Sequence, residues 1–149
     1  MFNFFNKRVH RFYLPSKIYY NILEKGNDIS AKTVNAFLNE HGLSVGEKQI
    51  TVQSISEFLF SITIKFKKRD EQMSFVTFIS QFKELLPPWM TFPGIFQGVP
   101  RWNQGIEEDY CVLHWLPYWK SLTHNEKEVY MSKYSCPSPW EAWLRTTKF

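Results

Sequence analysis

Residues 58–67 alternate with period two. Phe58, Phe60, Ile62, Ile64 and Phe66 are separated by Leu59, Ser61, Thr63, Lys65 and Lys67. Only an extended strand sends alternate side chains to opposite faces. The segment therefore predicts an antiparallel strand with one apolar face and one wetter face. Val52, Ile55, Leu59, Ile62 and Phe66 also fit a heptad, but the density of β-branched residues favours strand. Residues 50–55 are the expected partner strand, although Ser56-Glu57 is a poor hairpin turn by composition.

Helical periods flank this pair. Ser16 is a candidate cap for a helix over 17–25 that aligns Ile18, Tyr19, Ile22 and Leu23, with Gly26 as the left-handed residue after it. A second helix starts from Asp28 or Ser30, aligns Val34, Phe37, Leu38 and His41, and ends at Gly42. The two read as an αα-hairpin. A DNA-binding helix-turn-helix is disfavoured, because Gly46 weakens a recognition helix and Ile50-Thr51-Val52 favours strand. Asp70 is expected to open a helix through Leu86, with Phe75, Phe78, Ile79, Phe82, Leu85 and Leu86 packed across the sheet and Pro87-Pro88 ending it. Thr123-His124-Asn125-Glu126 is a capping box for a helix to about Tyr134, with Val129, Tyr130 and Tyr134 inward. Ser138-Pro139-Trp140-Glu141 starts a last helix, anchored by Trp140, Trp143 and Leu144. Residues 110–116 alternate Tyr110, Val112, His114 and Leu116 with Cys111, Leu113 and Trp115, and read as a central strand. Phe2 and Phe4 suggest a short N-terminal strand; the aromatic and basic residues around them also suit an interfacial membrane anchor.

Residues 86–119 hold four of the six tryptophans and five of the eight prolines. So long a connection is either functional or disordered, and its ring content argues against disorder. The expected fold is α+β: a small antiparallel sheet, a single layer packed against helices, with this ordered aromatic-rich connection. The 149 residues suit one domain spanning the whole chain, able to bury about 70% of its unfolded surface.

The net charge of +4 and the two cysteines bound the function. A mild basic excess suits nucleic acid, anionic lipid or an acidic protein partner without demanding any of them. Cys111 and Cys136 are too few for a disulfide framework and lack metal-ligand spacing; buried free thiols are the expectation. No secretory pattern and no apolar run of spanning length is present, so the cytoplasm is the expected compartment.

Chemical motifs are lacking. His10, His41, His114 and His124 make no HxH, HExxH or Cys/His spacing. Cys111 and His114 point to opposite faces if 110–116 is a strand; a Cys111–His41 nucleophile–base pair is the remaining thiol chemistry. No phosphate-cradling or nucleophile-elbow motif occurs. Glu107, Glu108 and Asp109 are adjacent carboxylates, which is not the spatial separation acid–base chemistry needs. We therefore expect no enzyme, no metal and no cofactor.

Binding is what remains. Trp89, Phe92, Phe96, Arg101 and Trp102 are the residue types of protein hot spots, and glycines and prolines around them can hold rings outward at low ordering cost. Glu107, Glu108 and Asp109 would form an acidic rim. The expected function is a non-enzymatic protein-binding module, in its concrete form a bacterial or phage immunity or antitoxin-type inhibitor that occludes a partner toxin. The alternative is nucleic-acid binding, with Lys65, Lys67, Lys68 and Arg69 on phosphates and aromatic rings stacked on bases.

Overall fold

The alternating segment is the central strand of a three-stranded antiparallel sheet. The structure, a computed structural model, describes residues 8–97 and 99–149, excepting the side chains of residues 96, 97, 99 and 100. The strand expected at Phe2 and Phe4 lies outside the described residues. The chain forms two compact units, Met1–Ile55 with Leu59–Glu84 and Ser56–Phe58 with Leu85–Phe149.

In the first unit, β1 (Val9–Tyr13), β2 (Ile50–Ser54) and β3 (Phe60–Lys65) pair in the order β1-β3-β2. The register sets His10 and Phe12 of β1 and Ile50 and Val52 of β2 opposite Ile64 and Ile62. Ile62 and Ile64 are fully buried. Three helices cover this face: α1 (Ser16–Glu24), α2 (Ala31–Glu40) and α3 (Arg69–Ile79). Tyr19 of α1 stacks on Phe60 at 6.4 Å, and Phe75 of α3 meets His10, Phe12 and Phe66 at 5.3–5.5 Å. Phe37 of α2 reaches Phe78 and Phe82, each at 6.2 Å. The opposite face carries Arg11, Thr51, Gln53, Thr63 and Lys65 in matching register, with Arg11 Nε donating to Ser61 Oγ at 3.0 Å. The fold is therefore α+β, with a small single-layer sheet packed on helices and one polar sheet face.

Both helix stops expected at glycine occur. Gly26 and Gly42 have φ of 75° and 81°. After α2, Gly42 N–H donates to Asn39 O and Leu43 N–H to Leu38 O, the paired bonds that satisfy a helix's last carbonyls. Two local expectations fail. Ser16 is the first helical residue rather than the cap; its buried hydroxyl donates to Glu84 Oε2 at 2.7 Å. The helix expected to run from Asp70 to Leu86 starts at Arg69 and stops at Ile79. Beyond it Ser80 and Gln81 turn, residues 82–87 form no regular element, and the carbonyls of Glu84, Leu85 and Leu86 accept from Ser16 N–H, Tyr130 Oη and Tyr110 Oη. These tertiary hydrogen bonds fix residues 84–86 outside the helix.

The second unit contains α4 (Pro88–Thr91), the short strands β4 (Phe96–Gln97) and β5 (Val99–Pro100), α5 (Ile106–Glu108), α6 (Leu116–Ser121), α7 (His124–Lys133) and α8 (Ser138–Thr146). Between α5 and α6, Asp109–Trp115 winds as a π-helix, so that one continuous helical path runs from Ile106 to Ser121. This overturns the strand expected at 110–116. Tyr110, Cys111, Trp115 and Trp119 are buried whereas Leu113 is 63% exposed. Burial every four to five residues is the wide period of an i→i+5 helix, and the apparent alternation was incidental. The α7 capping box is as expected: Thr123 Oγ1 accepts from Glu126 N–H at 3.2 Å and Glu126 Oε2 accepts from Thr123 N–H at 2.7 Å. Tyr130 and Tyr134 are inward, but Val129 is 66% exposed and not part of the core.

The core of this unit is a set of rings joined by their polar atoms. Trp89, Trp115, Trp119, Tyr130 and Trp140 meet with centroids 5.6–6.4 Å apart. Trp89 Nε1 donates to Tyr134 O at 2.9 Å, and Trp115 Nε1 donates to Tyr130 Oη at 2.9 Å. These two buried indole donors thus have acceptors, which is what burying an indole requires. Among the described residues no helix is long and apolar enough to cross a membrane.

Candidate functional site

The aromatic connection does not stand out as one loop. Its rings divide between core and surface. Trp89, expected at a partner surface, is 9% exposed and sits inside the ring cluster. Pro88 opens α4 in its first turn, and Met90, Thr91 and Phe92 N–H close onto Pro87 and Pro88 carbonyls. This short helix turns Trp89 inward and carries Phe92 to the edge of the unit. Trp102 is half-buried and packs on Trp140 at 6.0 Å. Phe96 lies in β4, and its side chain is outside the described residues.

Phe92, Arg101 and Glu107 do come together. They line an open cleft of about 540 Å³ with Thr91, Ile95 and Asn103. Phe92 is half-buried, its ring centroid 6.1 Å from that of Tyr110 in an edge-to-face arrangement. Ile95 is buried and supplies apolar wall. Arg101 is exposed, and Glu107 is half-buried at the start of the long helical path. Glu107 Oε2 accepts from Asn103 N–H at 3.1 Å, which fixes the carboxylate at the rim. Gly105 precedes this helix with φ of 92°, a conformation that favours glycine, and lets the chain turn into it. Among the described residues Arg101 and Glu107 make no ion pair with each other. The cleft therefore combines apolar wall with one cation and one carboxylate. Its volume and mixed lining are in the range of sites that hold a side chain or a small ligand.

The other acidic residues have different roles. Glu108 is exposed in the first helical turn, where a carboxylate is favoured by the helix dipole. Asp109 Oδ2 lies 3.7 Å from His114 Nε2, five residues on, a separation the π turn brings face to face. The carboxylates are thus spread along a helix and do not form a single rim.

Cys111 is fully buried, and burial first, then the nearby Glu107 carboxylate, pushes its thiol far above the ordinary range. Cys136 is pushed up to about 12, chiefly by burial. His41 Nδ1 lies 2.8 Å from Phe37 O at the end of α2. Among the described residues no three His, Cys, Asp or Glu side chains gather as a metal site.

The basic residues of the first unit form a second exposed group. Lys65, Lys67, Lys68 and Arg69 are all exposed where β3 passes into α3. Arg8 joins them, its Nη1 donating to Lys67 O at 2.7 Å while Phe66 N–H donates to Arg8 O. Among the described residues none of these five side chains makes an ion pair.

Sequence reasoning identified the residue types of the cleft but not Thr91, Ile95 or Asn103. The Pro87-Pro88 pair was the available signal for a short helix that reverses the chain beside them. No family model matches the chain, and neither a curated protein nor a solved structure matches it.

Proposed function

We propose that the chain is a non-enzymatic protein-binding module and that the cleft of Phe92, Arg101 and Glu107 receives the partner. The carrying observation is their convergence on one recess of about 540 Å³. A cation and a carboxylate lining one recess with apolar wall suit an apolar side chain accompanied by groups of opposite charge, a combination a protein surface supplies. Hot spots of this kind join a desolvated anchor to charges that fix orientation. Cys111 supports the non-catalytic reading, because a thiol held protonated by burial is the opposite of an activated nucleophile. In inhibitor form, the module would cover a toxin's working surface.

The test is a pull-down from the source cell with nuclease, using the native chain, Arg101→Glu and Phe92→Ala. A stoichiometric protein that survives nuclease with the native chain and is lost with both variants is the expected result. Substituting Arg101 or Phe92 should weaken that complex by about 1–2 kcal/mol or more. A partner retained equally by all three would place the contact elsewhere.

A second reading, nucleic-acid binding, is favoured by one observation. Lys68 and Arg69 stand at the N-terminus of α3, where the helix dipole disfavours cations. Exposed and, among the described residues, without carboxylate partners, they add nothing evident to stability, and they adjoin Arg8, Lys65 and Lys67. Nucleic acid retained by the native chain and lost with Lys67→Gln/Lys68→Gln would promote this reading over the first.

A further inference from the structure

From a different cleft in the second unit, bounded by α6, α7 and α8, we infer that the protein binds a small aromatic anion: a flat apolar body bearing a phosphate or carboxylate group. This cleft is about 460 Å³ and shares no lining residue with the one containing Phe92. Its apolar lining is the buried Trp119, Met131 and Leu144, with the exposed ring of Phe149 at its side. Its charged lining includes Lys120, Lys127 and Arg145.

The three cations differ in what they already hold. Arg145 is largely engaged: its guanidinium donates to both oxygens of Glu128 and to Glu141 Oε1. It pins α8 to α7 and pairs with Glu128, the carboxylate that lines the cleft. Lys120 and Lys127 have no such partner among the described residues. Their ammonium groups are placed over rings, Lys127 Nζ 5.3 Å from the Trp119 centroid and Lys120 Nζ 5.7 Å from the Phe149 centroid. A ring face attracts the charge but accepts none of the three N–H donors in a full hydrogen bond. Two ammonium groups are thus held at an apolar recess with donors to spare, while the carboxylate beside them is already taken. An anion on a flat apolar body satisfies both features at once: the body covers Met131, Leu144 and the indole, and the anion takes the lysines.

The probes are 2-naphthyl phosphate, its uncharged parent 2-naphthol, and inorganic phosphate, titrated calorimetrically into the whole chain. The expected result is that naphthyl phosphate binds at least about tenfold tighter than either of the others, as charge-assisted hydrogen bonds predict. Lys120→Gln/Lys127→Gln removes both charges while leaving polar side chains one atom shorter, and should reduce naphthyl phosphate to the affinity of naphthol, with the near-ultraviolet circular dichroism unchanged. Equal binding of naphthol and naphthyl phosphate would reduce the cleft to an apolar recess and overturn the inference. Phosphate alone binding as well as its aryl ester, or full affinity in the double variant, would overturn it too. A carboxylate probe, 2-naphthoate, separates the two anion types: the better-bound anion identifies the native ligand's acid group.

Discussion

The two units are built from different rings. All six tryptophans are in the second unit, while ten of the fourteen phenylalanines are in the first. The first carries twelve Lys and Arg against seven Asp and Glu, a net +5; the second carries six against seven, a net −1. Phe and Ile have no polar atom, so the first core is held by burial on regular elements. Trp and Tyr bring donors that must be matched, so the second core is held by burial plus specific acceptors such as Tyr134 O and Leu85 O. A phenylalanine core tolerates small shifts of its neighbours. A tryptophan–tyrosine core tolerates fewer, because its hydrogen bonds have direction.

The largest expected effects test whether each core depends on its central ring. Trp115→Ala and Phe75→Ala, each at a position with 0% exposure, should each cost about 3–5 kcal/mol by urea unfolding. The difference between the cores appears when shape is conserved. Tyr130→Phe keeps the ring but removes the hydroxyl that joins Trp115 Nε1 to Leu85 O, leaving a buried donor and acceptor unmatched, at a cost of about 1–3 kcal/mol. Ile64→Val, which removes only a methylene group from the first core, should cost about 0.5–1.5 kcal/mol. If Tyr130→Phe proved as mild as Ile64→Val, the directional account of the second core would be wrong.

The same contrast explains what was legible in the sequence. In the first unit, burial follows the period of the element that carries it: Ile62 and Ile64 at two, Val34, Phe37 and Leu38 at three and four. Gly26 and Gly42 mark their helix ends by a local backbone need. In the second unit the deciding partners are remote. Trp89 is inward because its indole N–H reaches a carbonyl 45 residues away, and nothing near it in sequence distinguishes that from an exposed ring. Tyr110, Val112 and Trp115 favour strands, yet the segment from Tyr110 to Trp115 winds as a helix whose period matches neither two nor 3.6. Phe92, Arg101 and Glu107 were legible as recognition types; their convergence required the turn at Gly105 and the short helix after Pro87. The helix stop at Ile79 was hidden for the same reason, since the hydroxyls that take Leu85 O and Leu86 O belong to Tyr130 and Tyr110.

A pH series should separate the units by sign. His10, against Phe75 in the first unit, has its pKa lowered from the ordinary 6.5 by burial. A lowered folded pKa gives stability that is present above 6.5 and lost as pH falls through the folded value. Cys111 in the second unit is raised from 9.0, first by burial and then by Glu107. Its contribution is complete below 9.0 and is lost as pH rises above it, by at most about 1.4 kcal/mol per pH unit. The protection factors of β1 and β3 amides, exchange rates corrected for the intrinsic pH dependence, should therefore fall from pH 7 to pH 5, less so in His10→Gln. Tryptophan fluorescence, which reports the second unit alone, should show alkaline unfolding that moves to higher pH in Cys111→Ala. Tyr130, also raised chiefly by burial, keeps a residual alkaline transition in that variant. Acid and alkaline losses unaffected by either substitution would mean that other groups set the pH limits.

The smallest expected effect concerns the charge difference itself. Lys67 and Lys68 are exposed and, among the described residues, in no ion pair. Replacing both with glutamine should leave urea stability within about 0.5 kcal/mol, as for surface sites without a special contact. A gain toward that limit is the favoured direction, because Lys68 caps α3 at the end where a cation opposes the helix dipole. Asp70 and Glu71 in the first turn already offset part of that opposition, which keeps the gain small. A clear loss would require a folded-state partner for these lysines and would remove the main reason for reading them as a surface for phosphates. Unchanged or slightly raised stability would leave their clustering with Arg8, Lys65 and Arg69 unexplained by folding, and would make the salt dependence of polyanion binding the next quantity to measure.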